Sequence, residues 1–192
     1  MDIRIEEDRD HPAVREVQRT AFGGSHGDTV ARLVDALRRD DPSVLSLVAE
    51  EQGEVVGHVM FSRALVDAPR RLVRVRTLSP LAVAPGRQRT GIGGALVRAG
   101  LRRLDELGVP LVFLEGDPAY YSRFGFEAAG GHGFLKPSVR VTDGGFQVVR
   151  LPAFEPWMTG AFVYSDTFWE HDCVGLRDPE PEVTTSIATS DR

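Results

Sequence analysis

Between positions 86 and 94 the chain reads Gly86-Arg87-Gln88-Arg89-Thr90-Gly91-Ile92-Gly93-Gly94, four glycines and two arginines in one short polar run. The apolar residues Leu81, Ala82, Val83 and Ala84 before it read as the end of a buried strand, which Pro85 and Gly86 stop. From Ala95 onward, Leu96, Val97, Leu101, Leu104 and Leu107 recur at helical spacing. The order is therefore strand, basic glycine-rich loop, helix. A helix start exposes N–H groups with no partner inside the helix, and the macrodipole adds partial positive charge there. Glycines let an anion come close to those donors, and Arg87 and Arg89 add charge around it. The stretch is built to hold a phosphorylated ligand. It is not a P-loop, because Ile92 stands where the lysine belongs. Nor is it a dinucleotide fingerprint, because Leu96 takes the place of the third glycine.

The loop does resemble the acetyl-CoA loop of the GNAT N-acetyltransferases, Gln/Arg-x-x-Gly-x-Gly/Ala, here Gln88-Arg89-Thr90-Gly91-Ile92-Gly93. A second signature follows one element later: Tyr121-Ser122-Arg123-Phe124-Gly125-Phe126 is similar to the family's Tyr-x-x-x-Gly-Phe. The resemblance implies an α/β fold with a mixed central sheet of about six to seven strands flanked by helices. One strand should be bulged or splayed where the cofactor enters, and Ser79-Pro80 is the expected place, since proline cannot donate to a sheet ladder. It also implies acetyl-CoA as cosubstrate, no metal, and an acceptor that is a small-molecule, peptide or protein amine. By the same analogy a homodimer is expected. In that reading Gln88, Arg89, Thr90, Gly91, Ile92, Gly93 and Gly94 hold the pyrophosphate, and Leu81, Ala82 and Val83 take the pantetheine arm as an added strand. The Val83 N–H would polarise the thioester carbonyl, and Tyr121 would protonate the departing sulfur. The alternatives are a non-catalytic acyl-CoA-binding module and a transferase for another acyl donor, with Arg63, Arg74 or Arg76 near a carboxylated acyl end.

The base has no motif of its own. Glu115 and Asp117 lie close to Tyr121 by connectivity, although Asp117 has a competing role as a helix cap. His58 falls on a central strand and His26 in a loop near the expected substrate mouth. Cys173 stands far from either motif. A metal site at His171, Asp172 and Cys173 is declined because the paired spacing of a zinc site is missing.

The elements that must carry these residues are legible by period. Residues 2–6 alternate as a first strand, and His11 and Pro12 open a helix to about Phe22. Residues 23–27 read as a flexible break, with Asp28 or Thr29 capping a second helix through Val30, Leu33, Val34 and Leu37. Strands follow over 44–49 and 55–66 with a tight turn at Gln52-Gly53, then a long strand from Leu72 to Ala84. A short buried strand at 111–114 leads to a helix from Asp117-Pro118 to about Phe124, with Gly125 as its C-terminal cap. Further strands are expected at 126–128, 148–151 and 160–164. The resemblance implies that the acceptor is chosen by the first two helices and the C-terminal strands, here residues 22–37 and the aromatic-rich stretch 131–169. One domain over 1–177, with its core at about 3–165, is followed by a polar tail over 178–192. In 192 residues, 42% are hydrophobic and 27% charged, and the net charge of −5 offers no basic field for nucleic acid. The start is not a signal sequence and no run is long enough to span a membrane, so a cytoplasmic protein is expected. With one cysteine, an internal disulfide framework is excluded.

Overall fold

The computed structural model describes residues 1–176. The expected tail over 178–192 lies outside the described residues. The chain runs β1 (Asp2–Ile5), α1 (His11–Phe22), α2 (Gly24–Asp40), β2 (Leu45–Glu51), β3 (Glu54–Asp67), β4 (Leu72–Val83), α3 (Ile92–Glu106) and β5 (Leu111–Glu115). It continues through α4 (Pro118–Tyr121), β6 (Glu127–Ala128), β7 (Phe134–Leu135), β8 (Phe146–Arg150), β9 (Gly160–Tyr164) and α5 (Asp166–Glu170).

The strands form a single mixed sheet in the order β1-β2-β3-β4-β5-β8-β6, with β9 on β3 and β7 on β9. Nine strands exceed the six to seven implied by the resemblance; β6 falls where a strand is expected, whereas β7, of only two residues, leaves no periodic trace. The Gln52-Gly53 turn has positive φ at both residues, 53° and 84°, as a two-residue hairpin joining β2 to β3 requires. Strand β3 is long enough to serve two neighbours: its first half pairs β2, and Ala64 to Asp67 pair β9.

Two features of β4 shape the site. Phe61 faces Leu78 and Val59 faces Leu81, so Ser79 and Pro80 together oppose the single residue Met60, which is the expected bulge. On its other side β4 is parallel to β5 through only two rungs, Arg76 with Val112 and Thr77 with Phe113. Beyond Thr77 the two strands part. Each keeps a partner on its far side, since β5 pairs β8 along its full length.

Period-two alternation divides the core. Val48, Met60 and Ala64 face α1 and α2 through Val14, Leu33 and Leu37, while Leu47, Val59 and Phe61 face α3 through Leu96, Val97 and Leu104. The break expected over 23–27 shrinks to one residue, Gly23 (φ 71°), and α2 already begins at Gly24. Packing explains the difference: a Cβ on Gly27 would lie 2.4 Å from the Arg19 carbonyl oxygen, so this glycine allows the first turn of α2 to cross the end of α1. Asp28 is not a cap but accepts from Arg19 Nε at 2.8 Å. On the other face, a Cβ on Gly100 of α3 would lie 2.1 Å from the Phe61 ring. Gly→Ala usually strengthens a helix, but Gly100→Ala is expected to lower stability by about 1–3 kcal/mol through overpacking. Urea unfolding measures this; an unchanged or raised midpoint would show that α3 does not pack on Phe61 this closely.

Candidate active site

The glycine-rich loop leaves β4 and enters α3 as expected. Gly91 is the N-cap of α3 and left-handed (φ 95°), and no side chain caps the helix. The first N–H to reach back into the helix is that of Ala95, to Gly91 O at 3.0 Å. The loop is braced from within, Thr90 Oγ1 donating to Arg87 O at 2.6 Å and Gln88 Nε2 to Val83 O at 3.1 Å. Ala84 N–H donates to Val56 O at 2.9 Å, which sets the phase of the antiparallel ladder. By alternation, the peptide groups of Val83, opposite Gly57, point away from β3 and into the gap beside β5. Ala82 faces the opposite way and is buried.

A groove of about 640 Å³ runs along this loop. Leu81, Val83, Gln88, Gly91, Gly93 and Gly94 line one side, and four guanidinium groups, Arg87, Arg89, Arg98 and Arg123, stand around it. Gly93 is needed in this packing because the Tyr120 hydroxyl lies 2.7 Å from where its Cβ would be. Arg123 stacks 4.6 Å from the Tyr120 ring and Arg98 5.5 Å from Phe124. Bare helix-start donors, a left-handed glycine and four cations fit a polyphosphate such as that of CoA. The arginines between positions 70 and 76 do not line this groove. Arg70 and Arg71 flank Trp157 instead, and Arg76 donates to Ser43 Oγ at 3.0 Å.

A second cavity, of about 490 Å³, opens on the other side of Leu81, which lines both. The bulge residues Ser79 and Pro80 form one wall, and Phe22, His26, Val30 and Leu33 of the first two helices form another. Tyr121 faces this cavity, whereas its neighbour Tyr120 faces the loop groove. The Tyr121 ring lies against Gly116, where a Cβ would meet it at 2.5 Å, and edge-on to Phe126. Burial pushes the Tyr121 hydroxyl well above the ordinary phenol range, so it stays protonated.

Of the candidate bases, Glu115 and His26 line this cavity, while Asp117 and His58 do not. Glu115 Oε1 accepts from the Tyr164 hydroxyl at 2.8 Å and its Oε2 from Gly175 N–H at 3.0 Å. Burial raises its carboxyl above the usual range, opposed by these two bonds and by the charge of Arg140. Asp117 is occupied elsewhere: Oδ1 accepts from Ala119 N–H at 2.9 Å, capping α4. His58 is fully buried between Gln18 Nε2 at 2.7 Å and Ser46 Oγ at 2.8 Å and lines neither cavity. His26 lines the cavity mouth, edge-on to Phe22.

Three placements differ from the sequence reading. Cys173, remote in sequence from both motifs, lies on the wall of this cavity, because the segment after α5 folds back over β5. The wall of this cavity extends beyond residue 169 to Leu176, while Phe134, Phe146, Phe162 and Phe168 of the aromatic stretch are core residues. Arg63, Arg74 and Arg76 line neither cavity; the arginine that lines the second one is Arg140. No sequence signal marks Arg140, which stands alone in an irregular stretch. Tyr164 was legible only as a strand residue. Among the described residues no group of three or more His, Cys, Asp or Glu could hold a metal ion.

Comparison with known proteins gives the same picture. The acetyltransferase (GNAT) domain family matches residues 2–129. The uncharacterized N-acetyltransferase YjhQ of Escherichia coli K12 is 39% identical over 138 residues, covering 70% of this chain and 75% of its own. The uncharacterized N-acetyltransferase YhbS of the same strain is 40% identical over 150 residues, 78% of this chain and 86% of that one. The crystal structure of Escherichia coli YhbS in complex with CoA superposes with a TM-score of 0.78 at 36% identity, covering 87% and 91% of the two chains. A GNAT family acetyltransferase from Brucella melitensis in complex with acetyl-CoA gives 0.69 at 36% identity, covering 87% and 97%.

The buried His58 generates a prediction about stability. Its pKa is pushed down to about 4 by burial, which the Glu6 carboxylate opposes and Arg38 reinforces. An unfolded histidine protonates near pH 6.5. Between these values the unfolded chain takes up a proton that the folded protein refuses, so stability falls as pH falls through this window, by on the order of 3 kcal/mol. Urea midpoints measured between about pH 7 and about pH 5 should drop in the wild type and stay nearly level in His58→Asn. Equal slopes in the two proteins would contradict it.

Proposed function

Because the chain belongs to the GNAT acetyltransferase family and is an acyl-CoA-dependent N-acyltransferase, we propose that it moves the acetyl group of acetyl-CoA to a primary amine by direct attack in a ternary complex. The observation that carries this reading is the meeting of two cavities at Leu81, one basic and lined by the glycine loop, the other holding Tyr121 and Glu115. We assign the pyrophosphate to the helix-start N–H groups over residues 91–94 with Arg87, Arg89, Arg98 and Arg123 around them. Gln88 and Thr90 brace that loop. The pantetheine arm lies along the open edge of β4, with Leu81 and Val83 offering peptide groups. The Val83 N–H stabilises the carbonyl oxygen as it gains charge.

Glu115 takes a proton from the acceptor ammonium, and the freed amine attacks the thioester carbon. The C–N bond forms, the C–S bond breaks, and Tyr121 gives its phenolic proton to the leaving sulfur. A buried carboxyl with a raised pKa suits a base, and a phenol kept protonated suits an acid. Asp117 has no part in this scheme beyond capping α4. Cys173 needs none either: its thiol is pushed up by burial and donates to His171 O at 3.3 Å, so it is a weak nucleophile. No helix among the described residues is long and apolar enough to cross a membrane, and we place the reaction in the cytoplasm with the acyl-CoA pool.

Two experiments test the reading. Acetyl-CoA titrated by calorimetry should bind the wild type, and Gly91→Glu/Gly93→Glu should lose that binding, because carboxylates then occupy the anion site; binding that survives the double substitution would refute the assignment of the loop. In CoA-release assays Tyr121→Phe should lower kcat by about 10²–10⁴ while acetyl-CoA affinity is kept. A Tyr121→Phe protein with full kcat would remove Tyr121 as the acid.

A further inference from the structure

Arg140 stands in the stretch between β7 and β8 and lines the cavity that holds Glu115 and Tyr121. Its backbone is fixed: its N–H donates to Ser138 Oγ at 3.2 Å, and its carbonyl accepts from Leu176 N–H at 3.3 Å. Its side chain is 21% exposed, yet among the described residues its guanidinium makes one hydrogen bond, Nη1 to Asp172 Oδ1 at 3.3 Å. Arg4 gives the measure of what such burial normally requires. With the same 21% side-chain exposure it makes five hydrogen bonds, to Asp10, Glu50 and Ile5 O. Arg38, more buried still, makes three. The Arg140 nitrogens are not sealed from solvent, so donors that the protein leaves without acceptors stay open to a ligand entering beside them. Among the described residues Arg140 finds one acceptor, Asp172, and the space beside it is the cavity that holds Glu115 and Tyr121.

The rest of the cavity restricts what can satisfy it. Glu115 supplies an acceptor for an ammonium, and Phe22, Val30, Leu33 and Leu78 supply an apolar wall between the mouth and the bulge. Arg140 and Glu115 line one cavity of about 490 Å³, so the two groups lie within the span of one small molecule, and the charge of Arg140 opposes the effect of burial on Glu115. The planar fork of arginine matches a carboxylate through two parallel bonds. We propose that the acceptor is a small amine that also carries a carboxylate, of the amino-acid type, and that Arg140 is the residue that selects it. This inference rests on the acetyl-transfer reading for its reaction, but not for its binding.

The test uses matched amine pairs that differ only in the carboxylate: leucine with isopentylamine, phenylalanine with phenethylamine, and δ-aminovalerate with butylamine. Each is titrated by calorimetry into the CoA-saturated protein and assayed by CoA release from acetyl-CoA. In at least one pair the carboxylated member should bind about tenfold to a hundredfold more tightly, the range of a charge-assisted hydrogen-bonded pair. Arg140→Ala should bring its Kd to that of the plain amine, and Arg140→Lys should keep part of the preference. Equal or weaker binding of every carboxylated member overturns the proposal, as does a preference that survives Arg140→Ala. The carboxylate could instead arrive on the acyl donor, so succinyl-CoA is compared with acetyl-CoA; an Arg140-dependent preference for succinyl-CoA also overturns it. If CoA itself fails to bind, the acetyl-transfer reading falls, while titrations without CoA still read the Arg140 cavity. Should Arg140→Ala fail to fold by circular dichroism, the wild-type pairs and Arg140→Lys decide.

Discussion

Two rungs of parallel pairing, Arg76 with Val112 and Thr77 with Phe113, hold β4 to β5, and the site depends on the pairing ending there. A sheet with continuous pairing would spend the outward peptide groups of Leu81 and Val83 on its own ladder. Here those groups face a gap. The bulge at Ser79-Pro80 lies where the strands separate, and proline has no N–H to offer a neighbour. Everything attributed to chemistry is attached to one bank of this gap or the other. The glycine loop hangs from the end of β4; Glu115 ends β5 and Tyr121 follows it. Because β3 and β8 pair these strands on their far sides, the gap is held open by ordered structure.

The wall opposite the bulge is supplied by α1 and α2, and a buried polar cluster sets their position. Glu6 accepts from Arg38 and from Ser46 Oγ; Ser46 also contacts His58, which contacts Gln18 of α1. Burial alone would raise the Glu6 carboxyl, but the hydrogen bond from Arg38, with His58 and Ser46 behind it, holds it low. A charge this deep is tolerated only while every partner is in place. A shift of α2 along the sheet would strand Glu6 and Arg38, and a shift of α1 would part Gln18 from His58, so the cluster favours one register. That register brings Phe22, His26, Val30 and Leu33 to the cavity.

The aromatic residues of the last third act mainly as core. Phe113 is surrounded by Phe134, Phe146 and Phe162, with ring centroids at 5.0, 5.6 and 4.6 Å. This cluster ties β7, β8 and β9 to β5, and it leaves Tyr164 with its ring in the core and its hydroxyl on Glu115. The chain then turns through α5 and returns over β5, where Gly175 N–H meets the same carboxylate. The surroundings of Glu115 are thus assembled from strands and a segment far from it in sequence.

What the sequence determined by itself is local. The glycine spacing over 86–94, the apolar run before it and the helical period after it are short-range patterns, and strand, loop and helix formed where those patterns placed them. Pro80 marked the bulge and Gly125 the end of the Tyr121 turn, because a missing N–H and a positive φ are properties of single residues. Tertiary structure decided the rest. It brought Glu115 to the cavity of Tyr121 while the Asp117 carboxylate capped its own helix, and it turned His58 into a buried structural group. It converted the Gly27 region from a break into a helix crossing, and it brought Arg140, Tyr164 and Cys173 to one cavity. Those outcomes follow from contacts between residues tens of positions apart. No local propensity encodes such contacts, because they exist only once the sheet has set which strands are neighbours.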